Sequence, residues 1–137
     1  MKCKYKDIEM AYDFVSSAPC GEHSAVLRKD TGTILYHSEM ADINEISDED
    51  WESDDAVEIP HKNDLDLGTH LVFDFVRTNL PDDYNYVHQI FSRRGAYSRF
   101  KDFLESKKSL QAWYDFEAEQ QERSLRQWCK DNNIELD

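Results

Sequence analysis

A chain of 137 residues, 39% hydrophobic and 12% aromatic, can bury one substantial core, so a single α+β domain over 1–137 is the expectation. No apolar run approaches the roughly 20 residues of a bilayer span, and no apolar stretch follows the basic start at Lys2, Lys4 and Lys6, so neither membrane insertion nor secretion is expected. A formal net charge of −13 disfavours general binding along a phosphate backbone.

A helix starting at Lys6 or Asp7 places Ile8, Ala11, Tyr12 and Val15 on one face, and Ser16-Ser17-Ala18-Pro19-Cys20-Gly21 ends it with turn residues. An antiparallel hairpin follows, with strands Ser24–Arg28 and Thr33–His37. Its turn, Lys29-Asp30-Thr31-Gly32, has glycine where a positive φ is wanted. Between Glu39 and Asp66 twelve acids meet one base, Lys62, so this stretch alone carries −11. Within it residues 38–58 have few apolar positions, and repulsion among the acids favours mobility. Ser47 followed by Asp48, Glu49 and Asp50 resembles a capped helix start. Asp55–Pro60 reads as a third, edge strand stopped by the proline.

Asn63 or Asp64 is expected to cap a largely buried helix, the central core element, on Leu71, Val72, Phe75, Val76 and Leu80, widened by Phe73. Leu80-Pro81-Asp82-Asp83 closes it and opens the next helix, 83–93, built on Tyr84, Val87, Ile90 and Phe91. Gly95 separates this from a helix over 96–106 with Ala96, Phe100, Phe103 and Leu104 inward. The last helix, about Leu110 to Asn132, puts Tyr114, Ala118, Leu125 and Cys129 on one stripe, with Trp113, Phe116 and Trp128 beside it. Glu119–Arg123 and Glu122–Arg126 form acid-first pairs on its outer face. The fold class is therefore α+β: an N-terminal helix, an antiparallel β-hairpin open to a third strand, then a C-terminal cluster of about four helices.

Chemistry is harder to place. Cys3, Cys20 and Cys129 are an odd count without a CxxC pair, which argues against a disulfide scaffold or a thiolate zinc site and for the cytoplasm. His23 and His37 should lie close at the open end of the hairpin, near Glu39 and Asp42. Their spacing matches no ordered ligand set, and exposed strand-end histidines are the plainer reading. Cys20 beside His23 invites a thiol nucleophile, but sequence neighbours seldom supply the base and oxyanion site that such chemistry needs. With four glycines the chain has little material for a phosphate-cradling loop. No catalytic residue, metal or cofactor is assigned.

The charge layout is more informative. Residues 93–108 carry six bases against two acids. Arg93, Arg94, Arg99 and Lys101 around Gly95 form a candidate anion- or partner-binding site, since a helix starting after the glycine points free N–H groups outward and arginine suits bidentate oxyanion binding. The plainer reading pairs Arg93 and Arg94 with acids of the same chain or with a helix C-terminus. Asp48, Glu49, Asp50, Glu52, Asp54 and Asp55 are the candidate acidic docking residues for a basic partner, against a plain solvated loop.

At Arg93-Arg94-Gly95-Ala96-Tyr97-Ser98-Arg99-Phe100-Lys101-Asp102 the chain resembles the bacterial UPF0158 family, whose stretch reads G-R-G-A-F-x-R-F-K-D. The likeness continues through Trp113-Tyr114-x-Phe116, Trp128 and Asn132-Asn133-Ile134, and includes Asp30-Thr31-Gly32 and Ile59-Pro60. Arg93 stands where the family usually has glycine, and Glu117-Ala118 replaces a common Arg-Asp. The resemblance implies a small cytoplasmic bacterial protein and supplies no catalytic residues. The leading expectation is a non-enzymatic protein-interaction or regulatory module using the acidic segment and the basic junction, with an unidentified protein partner and no membrane. The alternatives are a nucleotide- or nucleic-acid-phosphate binder through Arg93, Arg94, Arg99 and Lys101, or an enzyme with scattered site residues.

Overall fold

A computed structural model describes residues 2–137. Their elements run β1 (Lys2–Cys3), α1 (Tyr5–Ser16), β2 (His23–Arg28), β3 (Ile34–Ser38), β4 (Ile43–Asn44), α2 (Asp48–Glu52), β5 (Ala56–Glu58), α3 (Thr69–Asn79), α4 (Tyr84–Ile90), α5 (Ala96–Ser106), α6 (Leu110–Asp131) and β6 (Glu135–Leu136). The α+β expectation holds: one antiparallel sheet and a helical C-terminal region. The chain gathers into two units, one running to Leu65 and joined by Arg123–Asp137, the other Asp66–Glu122. Among the described residues no helix is long and apolar enough to cross a membrane.

In the first unit the sheet order is β4-β3-β2-β5, every pair antiparallel. The hairpin forms as its residues dictate. Gly32 takes φ +77°, its N–H donates to the Arg28 carbonyl at 2.7 Å, and Arg28 N–H donates to the Thr33 carbonyl at 2.8 Å. Ala25, Val26 and Leu27 are all buried, so this interior strand is covered on both faces. Helix α1 packs on β2 and buries Ile8, Ala11, Tyr12 and Val15, the face that their spacing requires. The third strand is β5, at the sheet edge as expected. The two-residue β4 on the opposite edge was not expected, because Ile43 offers the only apolar signal there.

The register also corrects the histidine pair. His23 lies opposite Ser38 and His37 opposite Ser24, so the two imidazoles project from opposite faces of the sheet. A second unforeseen feature ties the chain ends together: β1 and β6 pair in parallel, Cys3 beside Leu136, and Asp137 N–H donates to the Cys3 carbonyl at 2.8 Å. Strands of two residues carry no periodicity for sequence reading to detect.

The second unit is a helical cluster around Leu71, Val72, Phe75, Val76, Val87, Ile90, Phe100, Leu104 and Trp113. Trp113 is its largest buried side chain and meets Phe75 and Phe100 edge to face, with centroids 5.4 and 5.2 Å away. Its indole N–H has no hydrogen-bond partner among the described residues. Two helix boundaries and one buried stripe depart from expectation. Asp64 does not cap α3. Its carboxylate accepts the His61 N–H at 3.0 Å and starts a 3₁₀ turn, Lys62–Leu65, and a left-handed Asp66 then delays the helix to Thr69. Helix α4 stops at Ile90 instead of running to 93. Along α6 the buried stripe is not continuous: Tyr114 and Ala118 are exposed, Trp113 is inward, and Leu125 and Cys129 are buried further on. The two halves belong to different units, so each half buries its own stripe.

Two outcomes follow from this packing. Trp113→Ala should destabilise by about 3–5 kcal/mol, and Trp113→Phe, which also removes the orphan N–H, should cost clearly less; chemical denaturation of both variants would show it. Burial raises the Cys3 thiol, and burial followed by the neighbouring Cys3 pushes that of Cys129 up to about 11. A chromogenic disulfide reagent at pH 8 should therefore titrate one fast thiol, Cys20, which is exposed. That fast phase should disappear in Cys20→Ser.

Candidate functional site

The basic junction is shaped by how α4 ends. Phe91 N–H donates to the Val87 carbonyl at 3.1 Å. The Ser92 hydroxyl and N–H then both reach the Gln89 carbonyl, at 2.6 and 3.2 Å, which closes the helix. The chain turns through Arg93 and Arg94, and Gly95 adopts φ +73° before α5 starts at Ala96. A β-carbon at Gly95 would meet nothing within 4 Å, so glycine is needed there for its left-handed backbone alone. The guanidinium of Arg99, one turn into α5, donates back to the Arg94 carbonyl.

A cleft of 320 Å³ opens at this junction, lined by Tyr86, Gln89, Ile90, Ser92, Arg93 and Arg99. Of the four residues expected to form an anion site, it brings together Arg93 and Arg99. Arg94 contributes its carbonyl as an anchor for Arg99, and Lys101 sits 5.7 Å from the centre of the Tyr114 ring. All four are exposed, and no ion pair among the described residues of this unit involves them. Tyr86, Gln89 and Ser92 were missed. Part of the signal was available: Tyr86, Gln89, Ile90 and Arg93 stand at i, i+3, i+4 and i+7, which puts them on one face of the helix expected over 83–93. Tyr86 is half exposed and packs against Phe103 with ring centres 5.1 Å apart and planes 31° from parallel.

The lining is chemically one-sided. Two guanidiniums, a carboxamide and the Tyr86 hydroxyl offer hydrogen-bond donors around an alkyl wall, the Ser92 O–H being spent on Gln89, and among the described residues no carboxylate, imidazole or thiol lines the cleft. Such a set can bind an oxyanion. It holds no residue suited to act as a general base near neutral pH.

The acidic candidates lie in the first unit, on and after α2. Ser47 caps this helix through a reciprocal pair. Its hydroxyl accepts the Asp50 N–H at 3.1 Å, and its own N–H donates to the Asp50 carboxylate at 2.9 Å. Arg28 then joins the helix to the hairpin, reaching Asp50 at 3.1 Å and gripping Asp30 with two nitrogens at 3.1 and 2.8 Å. The Ser47 hydrogen bonds first, and Arg28 after them, hold the Asp50 carboxyl below its ordinary range, and Arg28 does the same to Asp30. Asp50 is thus occupied within the chain. Asp48, Glu49, Glu52, Asp54 and Asp55 remain exposed, with Trp51 exposed among them.

A second cleft in that unit, also 320 Å³, is lined by Cys20, His23, Glu58, His61 and Asp64 with apolar neighbours. Its imidazoles are largely committed. His61 is buried, its Nε2 donating to the Ala18 carbonyl at 2.8 Å and its Nδ1 accepting the Asn63 N–H at 3.1 Å. His23 stacks on Phe14 and directs Nδ1 at the Phe14 carbonyl, 3.0 Å away. Among the described residues no group of three or more His, Cys, Asp or Glu is placed to hold a metal ion.

The model of an uncharacterised protein family, UPF0158, matches residues 13–136. No curated protein and no solved structure matches the chain.

The sign of the pH dependence around α2 follows from the lowered carboxyls. A carboxyl whose folded value lies below its unfolded one stabilises the fold fully above the unfolded value, and that contribution is lost as pH falls through the folded value. NMR titration should give Asp50 and Asp30 values below the ordinary 3.8. Ser47→Ala should raise that of Asp50 and cost on the order of 1 kcal/mol.

Proposed function

The chain belongs to UPF0158, an uncharacterised family, and from its own geometry we propose that it is a binding module, not an enzyme, whose working site is the basic cleft of Arg93 and Arg99. The observation that carries this reading is the lining itself: two arginines converge with Tyr86, Gln89 and Ser92 on one solvent-open space without a carboxylate between them. Arginine forks match phosphate and carboxylate oxygens in pairs, and they remain charged at any physiological pH. Arg94 and Lys101 add field near the site without lining it. The three free cysteines support a cytoplasmic location, where thiols stay reduced.

A second reading, a protein-interaction role for the acidic helix, is supported by a different observation. Helix α2 is ordered by its cap and by Arg28 at the expense of one acid only, leaving five acids and Trp51 outward for a basic partner. Docking of this kind would be tested by neutralising Asp48, Glu49, Glu52, Asp54 and Asp55 in a pull-down.

For the cleft, pyrophosphate titrated into the full chain should shift the backbone amides of residues 86–99. Arg93→Glu with Arg99→Glu should abolish the shifts, Lys101→Glu should weaken them only partly, and raising salt should weaken them in the native chain. Shifts that survive the double reversal would overturn the proposal.

A further inference from the structure

We infer that the anion taken by this cleft is the phosphate of a nucleotide, with Tyr86 as the surface on which its base stacks. The inference rests on the anion-binding reading above and adds the rest of the ligand. A bare inorganic phosphate would use the guanidiniums and leave the remainder of the cleft unused. The same space is also lined by Ile90 and the Tyr86 ring, which supply apolar and aromatic wall.

Tyr86 suits the stacking role for a structural reason. Phe103, on α5, lies against its ring 31° from parallel, and Tyr86 nonetheless stays half exposed. The ring is thus supported by a neighbouring ring while about half of the residue remains accessible, the combination a stacking platform needs. Every base has a π-face, so such a platform accepts nucleotides with little regard to sequence. Gln89 lines the same space with a group that both donates and accepts hydrogen bonds, the requirement for meeting the edge of a base. A volume of 320 Å³ lies at the small end of ligand sites, roughly 300–1,000 Å³, which fits one nucleotide and not an extended strand. The nucleotide can be free or can be the phosphorylated end of a strand, and both present the same chemistry.

The test is calorimetric titration of the full chain with pyrophosphate, ribose 5-phosphate, the common nucleoside monophosphates and a short 5′-phosphorylated single-stranded oligonucleotide. Nucleotides should bind on the order of tenfold more tightly than ribose 5-phosphate, the contribution of one stacked base. Tyr86→Ala should remove that advantage while ribose 5-phosphate binding persists, and Tyr86→Phe, which keeps the ring, should preserve it. Circular dichroism of Tyr86→Ala shows whether its helices are intact. If the oligonucleotide exceeds the monophosphates, the source is a strand end; if it does not, the source is a free nucleotide. Ribose 5-phosphate binding as tightly as the nucleotides, with Tyr86→Ala silent, would overturn the inference and leave the anion site standing. If neither pyrophosphate nor any nucleotide binds, both readings fall.

Discussion

The second unit depends on one buried aromatic contact chain. Trp113 meets Phe100 edge to face, and Phe100 in turn meets Phe91, 5.5 Å away, just before the basic loop. Tyr97 closes on Phe91 from the start of α5 at 5.1 Å. The residues before and after Arg93 and Arg94 are therefore held by the core while the arginines themselves stay in water. Aromatic packing of this kind is rigid at little entropic cost, since each ring has only two side-chain torsions to fix. A loop that carries like charges next to one another would otherwise have reason to spread.

The first unit solves a comparable problem with ions and not with rings. Its acidic stretch has many mutually repelling carboxylates and little apolar surface to order it. Arg28 projects from the last position of β2 and serves Asp30 and Asp50 at once. Ser47 adds the reciprocal pair of hydrogen bonds with Asp50 that caps the start of α2. Each of these pairs is partly exposed, so none is a large source of stability by itself. Their effect is positional: the hairpin turn and α2 share one cation, and the other acids are left facing outward.

Polar commitments also separate structural from available chemistry. Five histidines and three cysteines offered several constellations by sequence. The fold uses both nitrogens of His61 and stacks the His23 ring, and it places His23 and His37 across the sheet from each other. Cys3 and Cys129 lie in the core. The arginines around Gly95 have few such ties apart from the Arg99 contact to Arg94, and they line a space. That difference is why the basic cleft, and not a histidine or thiol cluster, carries the functional reading.

Some of this was legible from residue order alone. Local patterns set α1, the hairpin with Gly32, the edge strand before Pro60, the capped start at Ser47 and the division of helices around Pro81 and Gly95, because each rests on interactions within a few residues. The likeness to UPF0158 was readable in the same way, from a contiguous stretch. Tertiary structure alone decided the pairing of β1 with β6 and the addition of β4, since their partners are distant and their strands too short to show a period. It also decided how Asp50 is spent: its spacing from Ser47 marks it locally as the capping partner, but the approach of Arg28 from β2 is a tertiary contact. The same holds at the cleft. Sequence determined that four bases cluster near Gly95, but which of them share a space with Tyr86 and Gln89 depends on where α4 stops, which Ser92 sets by closing on Gln89, and on how α5 packs, which burial of Phe100 against Trp113 settles.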